Sequence, residues 1–551
     1  MTYLIGLPAP QEAPDPPKAL RGNHMGHAID TIRPKLYLDE AVSLPDLFRS
    51  VAVIRGTAPA VRDDGRTLSY QELDLLSDRL AAKLVQEGIR PGHRVGLILH
   101  RSAEIPISIL AALKAGAAYV PLDPTYPAER LRYLIEDAGL TVVIGESGQI
   151  ASAGLKDVRV VPPDTDGEEL PPLPPIDLDG SELAYILYTS GSTGVPKGCM
   201  IAHHSVLELL RSAVSVFDVG TEDRITLFHP YIFDLSVSEF WLAVAVGATS
   251  VVVPLKMAQS ASDFLALLHR EGVTLTSQVP TSLRALVYAY EEAARPLLAL
   301  RYVQVGGEAV ELDVISAFLK AYQGIPPTVV NVYGPTEATC YATCHALTRA
   351  DLEGPVRAPI GSALPHLVVE VRDEAMELLP DGDVGELVIA GPAVAVGYLG
   401  QPELTAERFV VLDTPKGQLR YYRTGDLARR LPDGSFEYLG RNDQQVKVRG
   451  VRVELGEVEA FLRAHELVKD AAATMVTTAA GAQFLVACLV LAEETKEKPQ
   501  ALLRRHMLDS LPAYMAPDRY QVVPELPLTA SGKVDRRALQ DIATSRRARR
   551  P

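Results

Sequence analysis

Between Tyr70 and Glu87 apolar residues recur at helical spacing (Leu73, Leu76, Leu80, Leu84), and Gly88 then stops the pattern. Val95–Leu99 is a short apolar run of the kind that forms a buried strand, and Ile105–Ala115 returns to helical spacing. Strands that alternate with helices in this way predict parallel sheets covered on their faces. Val161–Asp177 breaks the alternation: it holds six prolines, several acids and no apolar periodicity, and reads as a surface loop. The first forty or so residues are Pro-rich and aperiodic, and predict an extension outside the packed core. Near the other end, Leu431-Pro-Asp-Gly434 predicts a turn between two strands. A boundary follows at Gly440–Asp443, and a separate unit of small strands and helices ends near Leu539.

Length changes the picture first. At 551 residues the chain is too long for one ordinary domain. Hydrophobic residues make up 47% and charged residues 22%, a globular balance that excludes a disordered or collagen-like chain. The net charge of −15 disfavours nucleic acid and anionic lipid as partners, so any anionic ligand must be held by local positive groups. Four cysteines are too few for a disulfide framework in a chain of this size, and Cys340-x3-Cys344-His345 lacks a second ligand pair at zinc spacing. The most apolar stretch, Trp241 to Leu255, is shorter than the ~18–20 residues of a spanning helix, and the N-terminus lacks the features of a secretory signal. These readings predict a cytoplasmic protein with reduced thiols.

The candidate chemistry begins at Tyr185-Ile-Leu-Tyr188, a strand-like run that enters Thr189-Ser-Gly-Ser-Thr-Gly-Val-Pro-Lys-Gly198. Helical periodicity is expected to resume after Ser205, with Glu208 completing a capping box. A glycine-rich loop between a strand and a helix lets backbone N–H groups and hydroxyls approach phosphates. Thr189, Ser190, Ser192 and Thr193 supply donors, Gly191 and its fellow glycines clear the path, and Lys197 supplies charge. It is not a Walker A loop, because the lysine follows Pro196.

This loop resembles the phosphate loop of the adenylate-forming superfamily of acyl-CoA synthetases, luciferases and nonribosomal peptide synthetase adenylation domains. Further motifs follow in family order: Ala115-Gly-Ala-Ala-Tyr-Val-Pro-Leu-Asp-Pro124, Asn331-Val-Tyr-Gly-Pro-Thr-Glu337, Tyr422-Arg-Thr-Gly-Asp426, Gly440-Arg-Asn-Asp443, Gln445-Val-Lys-Val-Arg-Gly450 and Pro527-Leu-Thr-Ala-Ser-Gly-Lys533. The resemblance spans about residues 45 to 540. It implies an α/β fold: a large N-terminal domain of helix-covered β-sheets plus a distorted β-barrel, with a small mobile α+β C-terminal domain. The expected boundaries are an extension over 1–42, a large domain over 43–441, a small lid domain over 442–541 and a basic tail over 542–551.

The reaction implied is attack of a carboxylate on the α-phosphate of ATP with loss of pyrophosphate, followed by acyl transfer to a second acceptor. By resemblance Lys533 sits between the two anions, where a compact ammonium suits the developing charge. Glu337 corresponds to the carboxylate that binds Mg²⁺, and Thr336 to a contact on the α-phosphate. Tyr333 corresponds to the residue stacked on adenine, with Gly306, Gly307 and Glu308 beside the ring and Asn331 and Gly334 in the same lining. Asp426 corresponds to the ribose ligand, Arg441 to a ribose or phosphate ligand, and Asp443 to the hinge about which the small domain turns. In one orientation Lys533 faces ATP; in the other Val446–Gly450 lines a channel for a pantetheine thiol.

Asp234, in Phe233-Asp-Leu-Ser-Val-Ser-Glu239, corresponds to the carboxylate that binds an α-ammonium, which implies an amino acid substrate. Leu235, Ser238, Ser277, Val303, Val305, Val332, Cys340 and Tyr341 carry over as the rest of the pocket. None is charged, and Val305 and Tyr341 make it shallow, so alanine is the first expectation, ahead of glycine, serine or 2-aminobutyrate, with proline as an outsider. No carrier motif follows Lys533 and no condensation domain precedes Ser43, so a stand-alone enzyme acting on a separate phosphopantetheine carrier protein is expected, through either its thiol or a carrier-bound amine. A small MbtH-type activator is a further partner that the resemblance allows. The competing readings are a CoA ligase for a small carboxylic acid and a nucleotide-binding scaffold without activity; the second requires loss of Lys533, Glu337 or Asp426, and all three are present.

Overall fold

A computed structural model of the chain describes residues 34–146, 148, 154, 158–164, 170–173, 176–191, 195–354, 358–415, 417–443, 445–448, 450–478, 483–492, 499–528 and 534–544. The helical spacing from Tyr70 gives the helix Tyr70–Gln86, started by a reciprocal capping box between Ser69 and Glu72. The strand Arg94–Ile98 and the helix Glu104–Lys114 lie where the apolar runs place them. Leu431–Gly434 connects the antiparallel strands Gly417–Arg430 and Phe436–Arg441.

Two large sheets carry the site. One is seven-stranded among the described residues and contains the antiparallel strands Leu183–Thr189 and Lys197–Ala202 beside parallel neighbours. The other is fourteen-stranded among the described residues. Its parallel part includes Leu275–Gln278, Tyr302–Val305 and Thr328–Tyr333. Its antiparallel part runs on through Pro359–Ala363, Val384–Ala390, Gly417–Arg430 and Phe436–Arg441, the segment for which a distorted barrel is expected. Between the sheets lies a continuous apolar core that includes Trp241, Tyr119 and Tyr185, and a second cluster fills the outer face of the parallel strands beneath three helices.

Beyond Asp443 the chain builds its own cores. The hairpin Gln445–Val448/Val451–Glu454 packs with the helices Leu455–Arg463 and Pro499–Ser510 around Val453, Leu462, Leu503 and Met507. A three-stranded sheet with the helix Arg536–Thr544 closes a further cluster around Val486 and Leu539. This region rests on the larger one through Arg130 and Glu457, 2.9 Å apart and almost fully buried, and through Tyr126 and Tyr514. None of the described helices is long and apolar enough to cross a membrane.

Candidate active site

The glycine-rich loop joins two antiparallel strands, with Thr189 and Lys197 as register partners, and so differs from the strand–loop–helix layout expected. The next helix, His203–Val216, begins earlier than the sequence suggests. Ser205 lies inside it and donates to the Pro392 carbonyl, while Glu208 pairs with Arg211, so no capping box forms. The hairpin strand lets Lys197 project along the sheet into the interior. Ser192, Thr193 and Lys533 lie outside the described residues.

A cavity of about 490 Å³ opens between the loop, the segments Phe233–Leu235 and Gly334–Thr336, and the hairpin of the smaller region. A wider cleft of about 880 Å³ adjoins it, sharing Gly307, Val332, Gly334, Arg441 and Lys447 as walls. Where the two regions meet, the Gly450 backbone lies against the Val279 side chain: Gly450 has φ +80°, and a Cβ there would lie 2.5 Å from Val279 Cγ1.

Glu337 is the electrostatic centre. It lies in the short turn Thr336–Ala338, fully buried, and its Oε1 accepts from the Tyr398 hydroxyl at 2.6 Å. Arg452 Nη1, from the smaller region, donates to Oε2 at 3.0 Å, and Lys197 Nζ stands 3.4 Å from Oε1. Burial alone would raise this carboxyl; Arg452, then Lys197, then Tyr398 outweigh it and hold Glu337 far below the usual carboxylate range. Burial, reinforced by Arg452 and opposed by Glu337, pulls the Lys197 ammonium down to about 8. Lys197 also donates to the Tyr398 hydroxyl at 3.2 Å. Ser190 is engaged by the same hairpin: its Oγ donates to the Arg452 carbonyl at 2.9 Å and accepts from the Glu454 N–H at 3.1 Å. Thr189 Oγ1 is buried with no partner among the described residues.

At the other polar end Tyr333 donates to Asp426 Oδ2 at 2.5 Å, and Arg441 Nη1 donates to Asp426 Oδ1 at 2.6 Å. Arg441 also grips both oxygens of Asp443 at 2.6 Å, a bidentate pair that locks the connection between the two regions. Burial raises the Asp443 carboxyl, and this grip more than reverses it. Lys447 reaches to 6.0 Å from the Tyr333 ring. Gly306 and Gly307 lie at the end of their strand, where a Cβ on Gly306 would meet Val332 at 2.8 Å. Glu308 accepts from the Thr281 hydroxyl at 2.7 Å, and Asn331 donates to the Pro359 carbonyl, so both side chains serve the scaffold.

The acyl end is nearly neutral. Asp234 precedes the helix Leu235–Val246, yet its side chain makes no cap bond and instead accepts from Thr336 Oγ1 at 2.7 Å. Burial raises its carboxyl, with the Thr336 bond opposing. Leu235, Val332 and Cys340 share the wall, Cys340 donating its thiol to the Asp234 carbonyl. Ser238 and Tyr341 are buried behind it and joined hydroxyl to hydroxyl at 3.2 Å.

Val303 and Val305 do not line this end. Both belong to the cluster on the far face of the sheet, under the helices that contain Phe264, Leu286 and Phe318. Side chains alternate along a strand, so a one-residue offset turns every position to the wrong face. The opposite, inner face of this strand carries Gln304, paired in register with Ser277. Ser277 is buried on that inner face, though not on the cavity wall. Gln304 is 1% exposed, and its Nε2 has no partner among the described residues.

The structure adds groups that the sequence reading did not single out. Arg452 and Tyr398 hold Glu337, and Glu239 accepts from the backbone N–H groups of Phe228 and His229 and from His229 Nδ1 at 2.8 Å. Arg452 could have been noticed as a cation between two apolar residues in Val451-Arg-Val-Glu454; nothing local marks Tyr398.

Comparison with known proteins agrees with this arrangement. The model of the AMP-binding enzyme family matches residues 48–399, and that of the AMP-binding enzyme C-terminal domain matches 457–533. The dimodular nonribosomal peptide synthase of Bacillus subtilis (strain 168) is 39% identical over 524 residues, covering 90% of this chain and 21% of its own. The chain thus spans about a fifth of that relative's length. Syringomycin synthase SyrB1 of Pseudomonas syringae pv. syringae is 37% identical over 488 residues, 87% of this chain and 78% of its own. Among solved structures, holo-PA1221, described as a nonribosomal peptide synthetase protein with adenylation and carrier (PCP) domains bound to a vinylsulfonamide inhibitor, superposes with a TM-score of 0.79 at 27% identity, covering 91% of this chain and 84% of that one.

Proposed function

Because the chain belongs to the AMP-binding enzyme family, as an adenylate-forming ligase of the nonribosomal peptide synthetase type, we propose that its substrate is a small α-amino acid, alanine first, activated as the aminoacyl adenylate. Enzymes of this family use ATP. Pyrophosphate leaves, and the aminoacyl group then passes to a carrier protein, onto its phosphopantetheine thiol or a carrier-bound amine. The carrier domains of holo-PA1221 support that partner.

The observation that carries the reading is Asp234. It is a half-buried carboxylate on the cavity wall, held by the Thr336 hydroxyl and without an ion-pair partner among the described residues. A carboxylate held so against desolvation needs a cation from outside, and an α-ammonium is one. A plain carboxylic acid offers none, which disfavours the CoA ligase. The joined Ser238 and Tyr341 behind the wall support a short side chain.

Thr189, Ser190, Ser192, Thr193, Gly191 and Lys197 are proposed to hold the phosphates, and Tyr333, Asp426 and Arg441 the adenosine. Glu337 fits Mg²⁺: it is a buried, ionised carboxylate whose neighbours already include two cations, and Mg²⁺ is commonly held by one or two carboxylates plus substrate phosphates. When bound, the metal would neutralise phosphate charge as pyrophosphate departs. Lys533 is proposed to bridge the carboxylate and the α-phosphate, and Asp443 to serve as the hinge.

The test is amino-acid-dependent exchange of labelled pyrophosphate into ATP across a panel of amino and plain carboxylic acids. Exchange with small amino acids, lost in Asp234→Ala, supports the reading. Exchange with plain acids, or CoA-dependent turnover without a carrier, overturns it.

A further inference from the structure

The strand Gly417–Arg430 does not run straight past its neighbour Val384–Ala390. Arg423 pairs with Val388 and Leu427 with Glu386, so Thr424, Gly425 and Asp426 together face Leu387 alone. A bulge of this kind re-aims a side chain out of the ladder, and here that side chain is Asp426. It also takes backbone groups from their ladder partners in a buried place, where an unmet donor or acceptor is costly. Two side chains take over. The Thr424 hydroxyl donates to the Leu387 carbonyl at 2.6 Å and accepts from the Asp426 N–H at 2.9 Å. The buried Glu386 accepts the Gly425 N–H on Oε1 at 2.9 Å. Arg423 sets the plane of that carboxylate: its Nε and Nη2 both donate to Oε2, at 3.1 and 2.7 Å, which leaves Oε1 to Gly425.

Gly425 has φ +72°, and a Cβ there would meet Arg441 Nη2 and Asp443 Oδ2, each at 2.8 Å. With no side chain to pack, its turn is fixed by hydrogen bonds: the N–H goes to Glu386, and the carbonyl accepts from the Asn442 N–H at 3.0 Å. Resting on the adenosine role proposed for Asp426, we infer that Glu386 is a positioning residue for the nucleotide. Through the Gly425 N–H it holds the bulge that presents the Asp426 carboxylate to the ribose hydroxyls. Tyr333 and Arg441 each engage one Asp426 oxygen, and an ionised carboxylate has about four acceptor positions, so room is left for a diol. Meeting all these donors at once needs the carboxylate held in one orientation. Without the Glu386 acceptor the glycine is free to turn its N–H elsewhere, and Asp426, the next residue, turns with it. Glu386 lines neither of the two cavities, so its effect on a nucleotide passes through this turn.

The test is equilibrium binding of ATP and of 2′,3′-dideoxy-ATP, each with Mg²⁺, to the whole chain; the second nucleotide lacks both hydroxyls. The wild type should prefer ATP by about tenfold or more, the range for hydrogen bonds to an ionised group. Asp426→Ala sets the full loss of that preference. Glu386→Ala should lose most of it, by weakening ATP and leaving 2′,3′-dideoxy-ATP unchanged, and should add little in the double variant with Asp426→Ala. Glu386→Gln keeps an oxygen for the Gly425 N–H and should retain the greater part of the preference. Glu386→Asp keeps the charge on a side chain one methylene shorter, out of reach of that N–H, and should behave as Glu386→Ala does. It decides the matter if Glu386→Ala fails to fold. Wild-type preference in either variant overturns the inference, and so does an equal weakening of both nucleotides, which a merely structural role would give. If the wild type shows no preference, or Asp426→Ala keeps it, the adenosine role of Asp426 falls, and the inference with it.

Discussion

The two ends of the cavity are built on opposite principles. At the phosphate end Glu337, Lys197, Arg452 and Tyr398 bring four polar groups together, the one carboxylate answered by two cations and a hydroxyl. At the acyl end one carboxylate, Asp234, stands among Leu235, Val332 and Cys340, held by hydrogen bonds and by no ion pair among the described residues. The first end can be completed by the protein's own residues, and here the smaller region completes it. The second is left without an ion pair among the described residues, the place that the proposed α-ammonium would fill. Satisfaction of buried charge thus separates a site the protein can close for itself from one that only a ligand closes.

The strongest way to break this contrast is to remove the charge at the closed end. Glu337→Gln leaves Lys197 buried beside the Arg452 guanidinium with no anion between them, and the loss of one member of a buried ion pair typically costs about 3–5 kcal/mol. Chemical denaturation should show a loss of that order, with pyrophosphate exchange abolished. Combining it with Arg452→Gln should recover part of the stability and none of the exchange. Equal stability in the single variant would mean that the network is not a unit.

Lys533→Ala comes next. Loss of a preorganised group that stabilises developing charge costs about 3–4 kcal/mol, or roughly 10²–10³ in rate. Adenylation should fall by that factor, while transfer from a supplied aminoacyl adenylate should fall much less. Equal losses in the two half-reactions would remove the division of labour between orientations.

How far each end was legible in the sequence follows from the same contrast. Phosphate chemistry restricts residue type, so Glu337, Lys197, Asp426 and Arg441 stand out within ordered motifs. The structure places the first two 3.4 Å apart and the last two 2.6 Å apart. Arg452 did not stand out, because its role depends on how one region sits against another, and no local spacing encodes that. The acyl end is lined by neutral residues whose identity is loosely constrained, so their positions rest on alignment to the family's motifs alone. In Tyr302-Val-Gln-Val305 the valines carry over from the resemblance as lining, whereas the pleat turns them into the outer core. The glycine-rich loop was misjudged for a related reason: Lys197–Ala202 is a short strand directly before a helix, and periodicity over so few residues cannot separate the two.

A third prediction uses pH to set the ends apart. Burial raises the Asp234 carboxyl above its ordinary value, whereas Arg452 and Lys197 hold Glu337 well below its own. As pH falls, Asp234 takes up a proton first, and a neutral carboxyl no longer attracts an ammonium. KM for the amino acid should therefore rise toward tenfold per pH unit below the Asp234 pKa, while nucleotide affinity stays flat over the same range because Glu337 remains ionised. Asp234→Asn should bind weakly at every pH and lose the slope. A parallel decline of both affinities would show that the ends titrate together.

The smallest effects concern what measures the side chain. Val305 is fully buried in the outer cluster, so Val305→Ala should create a cavity there and lower stability by about 1–3 kcal/mol while leaving the ranking of amino acids unchanged. Tyr341→Phe removes one buried hydroxyl contact with Ser238, at about 1 kcal/mol, and should shift the ranking modestly because the closing pair loosens. Gln304→Leu differs from both. It replaces a buried amide whose Nε2 has no partner among the described residues with an apolar side chain of similar size, so the fold should be unharmed or slightly more stable. If the inner face of the strand reads the substrate, the ranking among alanine, serine and 2-aminobutyrate should change in Gln304→Leu and not in Val305→Ala. Pyrophosphate exchange over those three amino acids, beside thermal melts of each variant, separates the two faces. A change of ranking in Val305→Ala alone would put the valines back on the wall and reverse the strand.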